Sequence, residues 1–274
     1  MSSITIRKWL DGCYIKADGS NLVDLTHEWH EGMTQPAFFP PMIQEEFHTH
    51  QKQGVFSRYN HLLEECGTHC EAPVHIFPNT LTIEKVPPSW LIGPAIVINI
   101  RDKCLMDPDY KLNIQDLMNW EDKHGRIPNN SWLIMYSGWS DKWGFSSFFN
   151  VDREGKDHYP GFDPLAMRWL VETNRHIIGI ATECGSPEGG TATRPSDPAG
   201  KVGPSTPVRN ELLPVWNTLV IEYITNLDKL PEAGAWIIVG VIPFKGGSGG
   251  QARIFGILPV VEAEVFKKNE ELKR

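Results

Sequence analysis

Short apolar runs separated by turn residues dominate the chain, and few stretches carry a helical period over more than two turns. Residues 95–100 and 131–137 are unbroken apolar runs rich in β-branched or aromatic side chains, the pattern of strands buried on both faces. Residues 21–26, 54–63, 176–180, 219–224, 236–241 and 252–258 read as further strands. Residues 4–18 alternate weakly and predict an irregular strand pair around Asp11-Gly12. Asn113 suits the cap of a helix over 114–123, with Leu117 and Trp120 on its inner side. Asp163 followed by Pro164 predicts a second helix, with Leu165, Trp169 and Leu170 on one side. Residues 211–217 read as a short third helix. Residues 183–208 are poor in apolar side chains and rich in Gly, Pro, Ser and Thr. They are too long for a simple connection and read as an active-site lid or a mobile stretch. From Lys267 onward the charged residues predict a frayed end. No repeat or linker divides the chain, so residues 1–274 are expected to form a single domain of mixed α/β class with a large sheet.

Composition changes this picture in a few places. The length of 274 residues is within reach of one α/β or barrel unit, and 41% hydrophobic residues supply a substantial core. The net charge of −8, with no basic run, argues against nucleic acid as a partner. Residues 1–20 lack the apolar segment of a signal peptide. The longest apolar runs, 94–100 and 236–244, are too short to cross a bilayer. Five cysteines at irregular spacing do not make a disulfide framework. The expectation is a cytoplasmic setting.

Chemistry concentrates between positions 65 and 75, in Glu-Cys-Gly-Thr-His-Cys-Glu-Ala-Pro-Val-His. Glu65, His69, Glu71 and His75 all stand at odd positions, so an extended chain directs them to one side. Cys66 and Cys70 then point the other way, into a core. Two carboxylates and two imidazoles on one side need compensation by a metal ion, a cationic residue or a shared proton.

The same run resembles the signature of the cyclase family of metal-dependent hydrolases, His-x-Gly-Thr-His-x-Asp-x-Pro-x-His, the family of bacterial kynurenine formamidase and isatin hydrolase. Gly67, Thr68, His69, Pro73 and His75 match it; Glu71 replaces the Asp and Glu65 the first His. Gly138-Trp139, Pro160-Gly161, Glu222 with Thr225-Asn226-Leu227, and the stretch 246–253 extend the resemblance over most of the chain. It implies a swivelling β/β/α fold with a barrel-like core, a homodimer, and hydrolysis of a small amide, lactam or lactone. It implies His69, Glu71 and Glu65 as ligands of one divalent metal, Mn²⁺ or Zn²⁺, with Glu222 near it. His75 is implied as general base and acid. Arg209 falls where the family carries a further His or Gln ligand, and an arginine does not ligate metals.

Two readings follow. In one, a single metal remains, the oxygen-rich ligand set favours Mn²⁺, and Arg209 binds a substrate carboxylate or the developing oxyanion. In the other, Glu65 and Arg209 form an ion pair that replaces the metal. The protein is then a metal-free acid–base enzyme using His75, Glu71 and Arg209, or an inactive binding relative. Elsewhere the plainer readings are preferred. His27, His30, His48 and His50 are expected at the surface or in hydrogen bonds. Residues 246–250 form a turn lining the pocket rather than a phosphate loop, because a strand follows them. Cys184 is structural, Trp139 is core or pocket wall, and Arg253 makes a structural ion pair.

Overall fold

The structure is a computed structural model that describes residues 15–16, 18–192 and 206–259. Its strands, in chain order, are β1 (Leu22–Asp24), β2 (Ile43–His48), β3 (Ser57–His61), β4 (His69–Glu71), β5 (Ile92–Asn99) and β6 (Lys111–Leu112). There follow β7 (Ser131–Tyr136), β8 (Gly161–Phe162), β9 (Ile177–Thr182), β10 (Leu219–Glu222), β11 (Trp236–Val241) and β12 (Gly249–Ile257). The main sheet runs β1-β12-β11-β5-β7-β9-β10-β4, and β4 also pairs with β12. That second pairing closes seven strands into a barrel and leaves β1 as an added strand on β12.

Strands β5, β7, β9 and β10 are parallel neighbours, and the remaining barrel pairs are antiparallel. Parallel neighbours need long crossovers, and these supply the helices. Arg101–Met106 and Ile114–His124 lie between β5 and β7, Pro164–Glu172 between β7 and β9, and Pro207–Trp216 between β9 and β10. Cys70, Val97, Trp132, Ile134, Ile221, Val239 and Ile254 fill the barrel. Ile96, Ile98, Leu133, Ile180 and Val220 face outward onto Leu117, Met167, Leu170 and Leu212 of the helices. Both faces of the parallel strands are therefore buried, which explains their unbroken apolar sequence.

Several local signals act as expected. The Asn113 side chain accepts from the Gln115 and Asp116 N–H groups, and Asp116 accepts from the Asn113 N–H, a complete capping box. Asp163 caps Pro164–Glu172 through the Leu165 N–H. The inner side of that helix differs from the expected one: Ala166, Met167 and Leu170 are buried, while Leu165 is exposed. The third helix starts at Pro207 rather than 211, which puts Arg209 in its first turn. The run 54–63 yields β3, but β3 pairs with β2 in a hairpin outside the barrel. The strand pair expected over 4–18 falls outside the described residues except for 15, 16 and 18, and the charged end from Lys267 lies wholly outside them. Of 183–208, the described part is packed rather than free-standing: Glu183, Cys184, Ser186 and Glu188 are all buried.

Candidate active site

β4 is only three residues long, yet it closes the barrel. His69 stands opposite Glu222 of β10 and Gln251 of β12, while Glu71 stands opposite Val220 and Gly249. Cys70 points into the barrel. His69, Glu71 and Glu222 therefore share the outer face, under the helix Pro207–Trp216. Two glycines allow the closure. A Cβ on Gly249 would come within 2.9 Å of the Cys70 carbonyl, and one on Gly250 within 2.6 Å of the Ile242 carbonyl. Thr68 ties the strand down: its hydroxyl donates to the Tyr223 carbonyl at 2.6 Å and accepts the His27 N–H at 2.9 Å. Tyr223 has φ 56°, rare for a bulky residue, and this turn ends β10 directly after Glu222.

The orientation of His69 is fixed. Its Nδ1 lies 2.8 Å from the Gly67 carbonyl, which can only accept, so Nδ1 carries the proton. Nε2 then faces Glu71 Oε1 at 3.6 Å and Glu222 Oε2 at 3.8 Å, buried and without a hydrogen bond. The other oxygen of each carboxylate belongs to Arg209. Its Nη2 lies 2.6 Å from Glu71 Oε2 and 2.8 Å from Glu222 Oε1. Arg209 is itself held by Glu188, which accepts the Val208 and Arg209 backbone N–H groups at 2.7 and 3.1 Å. A carboxylate at a helix N-terminus is favoured there by the dipole.

The buried charges do not balance. Three carboxylates surround one guanidinium. Burial holds the Glu71 carboxyl back from ionising, but Arg209 and the imidazoles outweigh that and keep it well below the usual range. Burial, and then the Glu71 charge, push Glu222 up to about 7. Burial also raises Glu188 despite Arg209. At His69, burial opposes protonation, and Glu71 and Glu222 overcome it and raise the pKa. The environment thus favours added positive charge beside His69 Nε2, as a proton or a metal ion. One ligand atom from each of His69, Glu71 and Glu222 lies within 4.8 Å of the others, and one nitrogen with two carboxylate oxygens is a workable ligand set for a divalent cation.

Glu65 departs from expectation. It forms no pair with Arg209, whose partners are Glu71, Glu222 and Glu188. It is also absent from the converging ligand atoms. Its Oε1 lies 3.3 Å from His75 Nδ1 and touches the Ser248 hydroxyl. The physical reason is that regular strand geometry covers only His69–Glu71. Glu65 sits before it in a turn, and Pro73–His75 is a single 3-10 turn after it. That turn brings His75 back over Glu71, with Nε2 3.6 Å from Glu71 Oε1. The Glu71 charge pushes His75 up to about 9 against burial, with Glu65 adding to it. Arg209 lines the cavity, and its guanidinium is also engaged by protein groups. Nη2 is committed to carboxylates, and Nη1 faces Ser186 at 3.4 Å and Glu188 at 3.6 Å.

Glu188, Tyr223, Ser186 and Ser248 were not singled out in the sequence. Their contacts to the site come from partners far along the chain: Glu188 and Ser186 reach Arg209, Tyr223 reaches Thr68, and Ser248 reaches Glu65. Among the histidines, His30 and His48 make hydrogen bonds, whereas His27 stacks on Trp143 with ring centroids 4.1 Å apart and a buried, unpartnered Nε2. Arg253 pairs with Asp24, and buried Trp139 donates to the Phe148 carbonyl.

Over this cluster lies a cavity of about 270 Å³. Phe38, Phe39, Phe149, Tyr159 and Tyr223 wall it, and Glu65, Glu71, His75, Arg209 and Glu222 form its polar floor. A closed barrel with imidazole and carboxylates on its outer face, beneath a small aromatic cavity, has the layout of an enzyme for small molecules. The chain belongs to the cyclase family: the profile described as Putative cyclase matches residues 23–189. It is 30% identical over 222 residues to isatin hydrolase of Roseibium aggregatum, covering 77% of this chain and 78% of that protein. Among solved structures it resembles an isatin hydrolase bound to the product analogue thioisatinate, with TM-score 0.79 and 25% identity over 95% of this chain and 100% of the other. It also resembles isatin hydrolase A from Labrenzia aggregata bound to benzyl benzoate, with TM-score 0.77 and 26% identity over 93% and 100%.

Proposed function

We propose that this protein hydrolyses a C–N bond of a small cyclic amide or aryl formamide, using one divalent ion held by His69, Glu71 and Glu222. The observation that carries the reading is the division of labour at the carboxylates. Arg209 takes one oxygen of each, and the other oxygens face the unpartnered Nε2 of His69. When bound, such an ion acidifies a water and polarises the substrate carbonyl. Arg209 fixes the two carboxylates in place. The Glu71 charge that holds His75 protonated is offset once an ion is bound, and His75, on the cavity floor, then takes a proton from the attacking water and returns it to the leaving nitrogen. The aromatic walls suit a flat substrate and exclude water around it. Likeness to isatin hydrolases supports a cyclic amide as the substrate class. The two oxygen ligands favour Mn²⁺ over Zn²⁺. The same reading takes the protein as a homodimer, supported by exposed Ile43, Phe47, Val55, Phe56 and Tyr59 on and beside the β2–β3 hairpin.

A second reading keeps the alternative of a metal-free protein, because the Arg209 guanidinium already stands between Glu71 and Glu222. One experiment separates the two. Protein prepared without chelator is analysed for metal, then assayed with added Mn²⁺ or Zn²⁺ on a panel of lactams, formamides and lactones. The hydrolytic reading expects one ion per chain and turnover of an amide, both lost in His69→Ala. Full turnover by metal-free His69→Ala would exclude it.

A further inference from the structure

We infer that Glu65 is a positioning residue for His75, holding the imidazole by Nδ1 so that Nε2 faces the reacting atoms. The inference rests on the hydrolytic reading above. It also gives a role to the residue that departs furthest from the family signature.

The contacts run outward from the ring. His75 is the last residue of a one-turn 3-10 segment and its side chain is 30% exposed, so little packing restrains it. Glu65, whose side chain is 16% exposed, faces Nδ1 at 3.3 Å. Carboxylates face both ring nitrogens, Glu65 at Nδ1 and Glu71 at Nε2. With the Glu71 charge taken up by a bound ion, the neutral imidazole has one N–H, and Glu65 beside Nδ1 selects the tautomer that carries it there. The lone pair is then on Nε2, 3.6 Å from Glu71 Oε1 and beside the atoms that converge with His69.

Glu65 is in turn anchored. Its carboxylate touches the Ser248 hydroxyl. Ser248 is fixed by Glu64, which accepts its backbone N–H at 2.7 Å and lies 2.8 Å from its hydroxyl. Glu64 also accepts the Gly249 N–H at 3.3 Å. This clamp ties Glu65 to the start of β12. Groups that orient a catalytic imidazole typically matter about 10- to 100-fold without touching the substrate.

The test uses the full-length protein with Glu65→Gln and Glu65→Ala, Mn²⁺ content by elemental analysis, steady-state kinetics, and a crystal structure of the Ala variant beside the parent. Both variants are expected to hold as much metal as the parent. For both, kcat should fall about 10- to 100-fold, with KM within about twofold. In the Ala structure the His75 ring should turn away or split between two positions. Loss of metal from either variant would make Glu65 a ligand and overturn the inference. An unmoved ring or an unchanged kcat would overturn it as well. If the parent turns over no amide, the hydrolytic reading fails separately, and the ring position alone decides what Glu65 does. Should the Ala variant not fold, a crystal structure of Glu65→Gln, which keeps the shape and removes the charge, replaces it.

Discussion

Arg209 shares one amino group between Glu71 and Glu222, and all three side chains are buried. Removing the guanidinium leaves two carboxylates facing each other without water. Arg209→Met is therefore expected to destabilise the fold by about 3–5 kcal/mol in urea denaturation. Added Mn²⁺ should restore part of that loss, and no loss at all would contradict the pairing. Glu183 poses a different case, because its buried carboxylate has no cation among its hydrogen-bond partners. It accepts the Ser137 N–H and hydroxyl at 2.7 Å, the Trp139 N–H at 3.2 Å and the Ser140 hydroxyl at 2.7 Å. Burial raises its pKa against those donors. Stability from this group is thus full below pH 4.5, its ordinary value, and is lost as pH rises through the raised folded value. A glutamine can keep the three-donor oxygen and give its NH₂ to Ser140. Glu183→Gln should therefore match the parent at low pH and decline less toward pH 8, measured by urea unfolding across pH. A parallel decline in both proteins would refute the account.

At the scale of elements, end signals are local and strong. Asn113 satisfies two backbone donors at the start of Ile114–His124, so Asn113→Ala should cost about 1 kcal/mol. Thermal unfolding should show a drop of a few degrees with the metal content unchanged. Strand faces depend on partners instead. Gly179 looks like a weakness within β9, yet a Cβ there would lie 2.2 Å from the Trp132 ring. The glycine makes room for the largest side chain inside the barrel. The run 54–63 has the composition of a strand, but nothing in it specifies pairing with β2 rather than with the barrel. Likewise the odd-numbered alternation from 65 to 75 holds only for His69 and Glu71, because turns flank β4 on either side.

For the whole molecule, the metal reading would couple cation binding to folding, because buried carboxylates outnumber the guanidinium they surround. At 100 times its Kd, one bound ion adds about 2.7 kcal/mol of stability. For a chain of this size that corresponds to a Tm rise of about 5–10 °C. Differential scanning fluorimetry with Mn²⁺ and with chelator measures it directly, and identical curves would count against the metal reading. No described helix is long and apolar enough to cross a membrane.

The sequence by itself determined the buried parallel strands, the caps at Asn113 and Asp163, and the residues that carry charge, because each depends on neighbours within a few positions. The signature run was legible in the same way, as far as its membership and its two departures. Only the tertiary structure decided what those departures mean. Arg209 reaches Glu71 across 138 positions of chain and Glu222 across 13, while Glu65 meets Ser248 across 183. Charge pairing over such separations is set by how a seven-stranded barrel closes through β4. No periodicity along the chain records which carboxylate a distant guanidinium or imidazole will find.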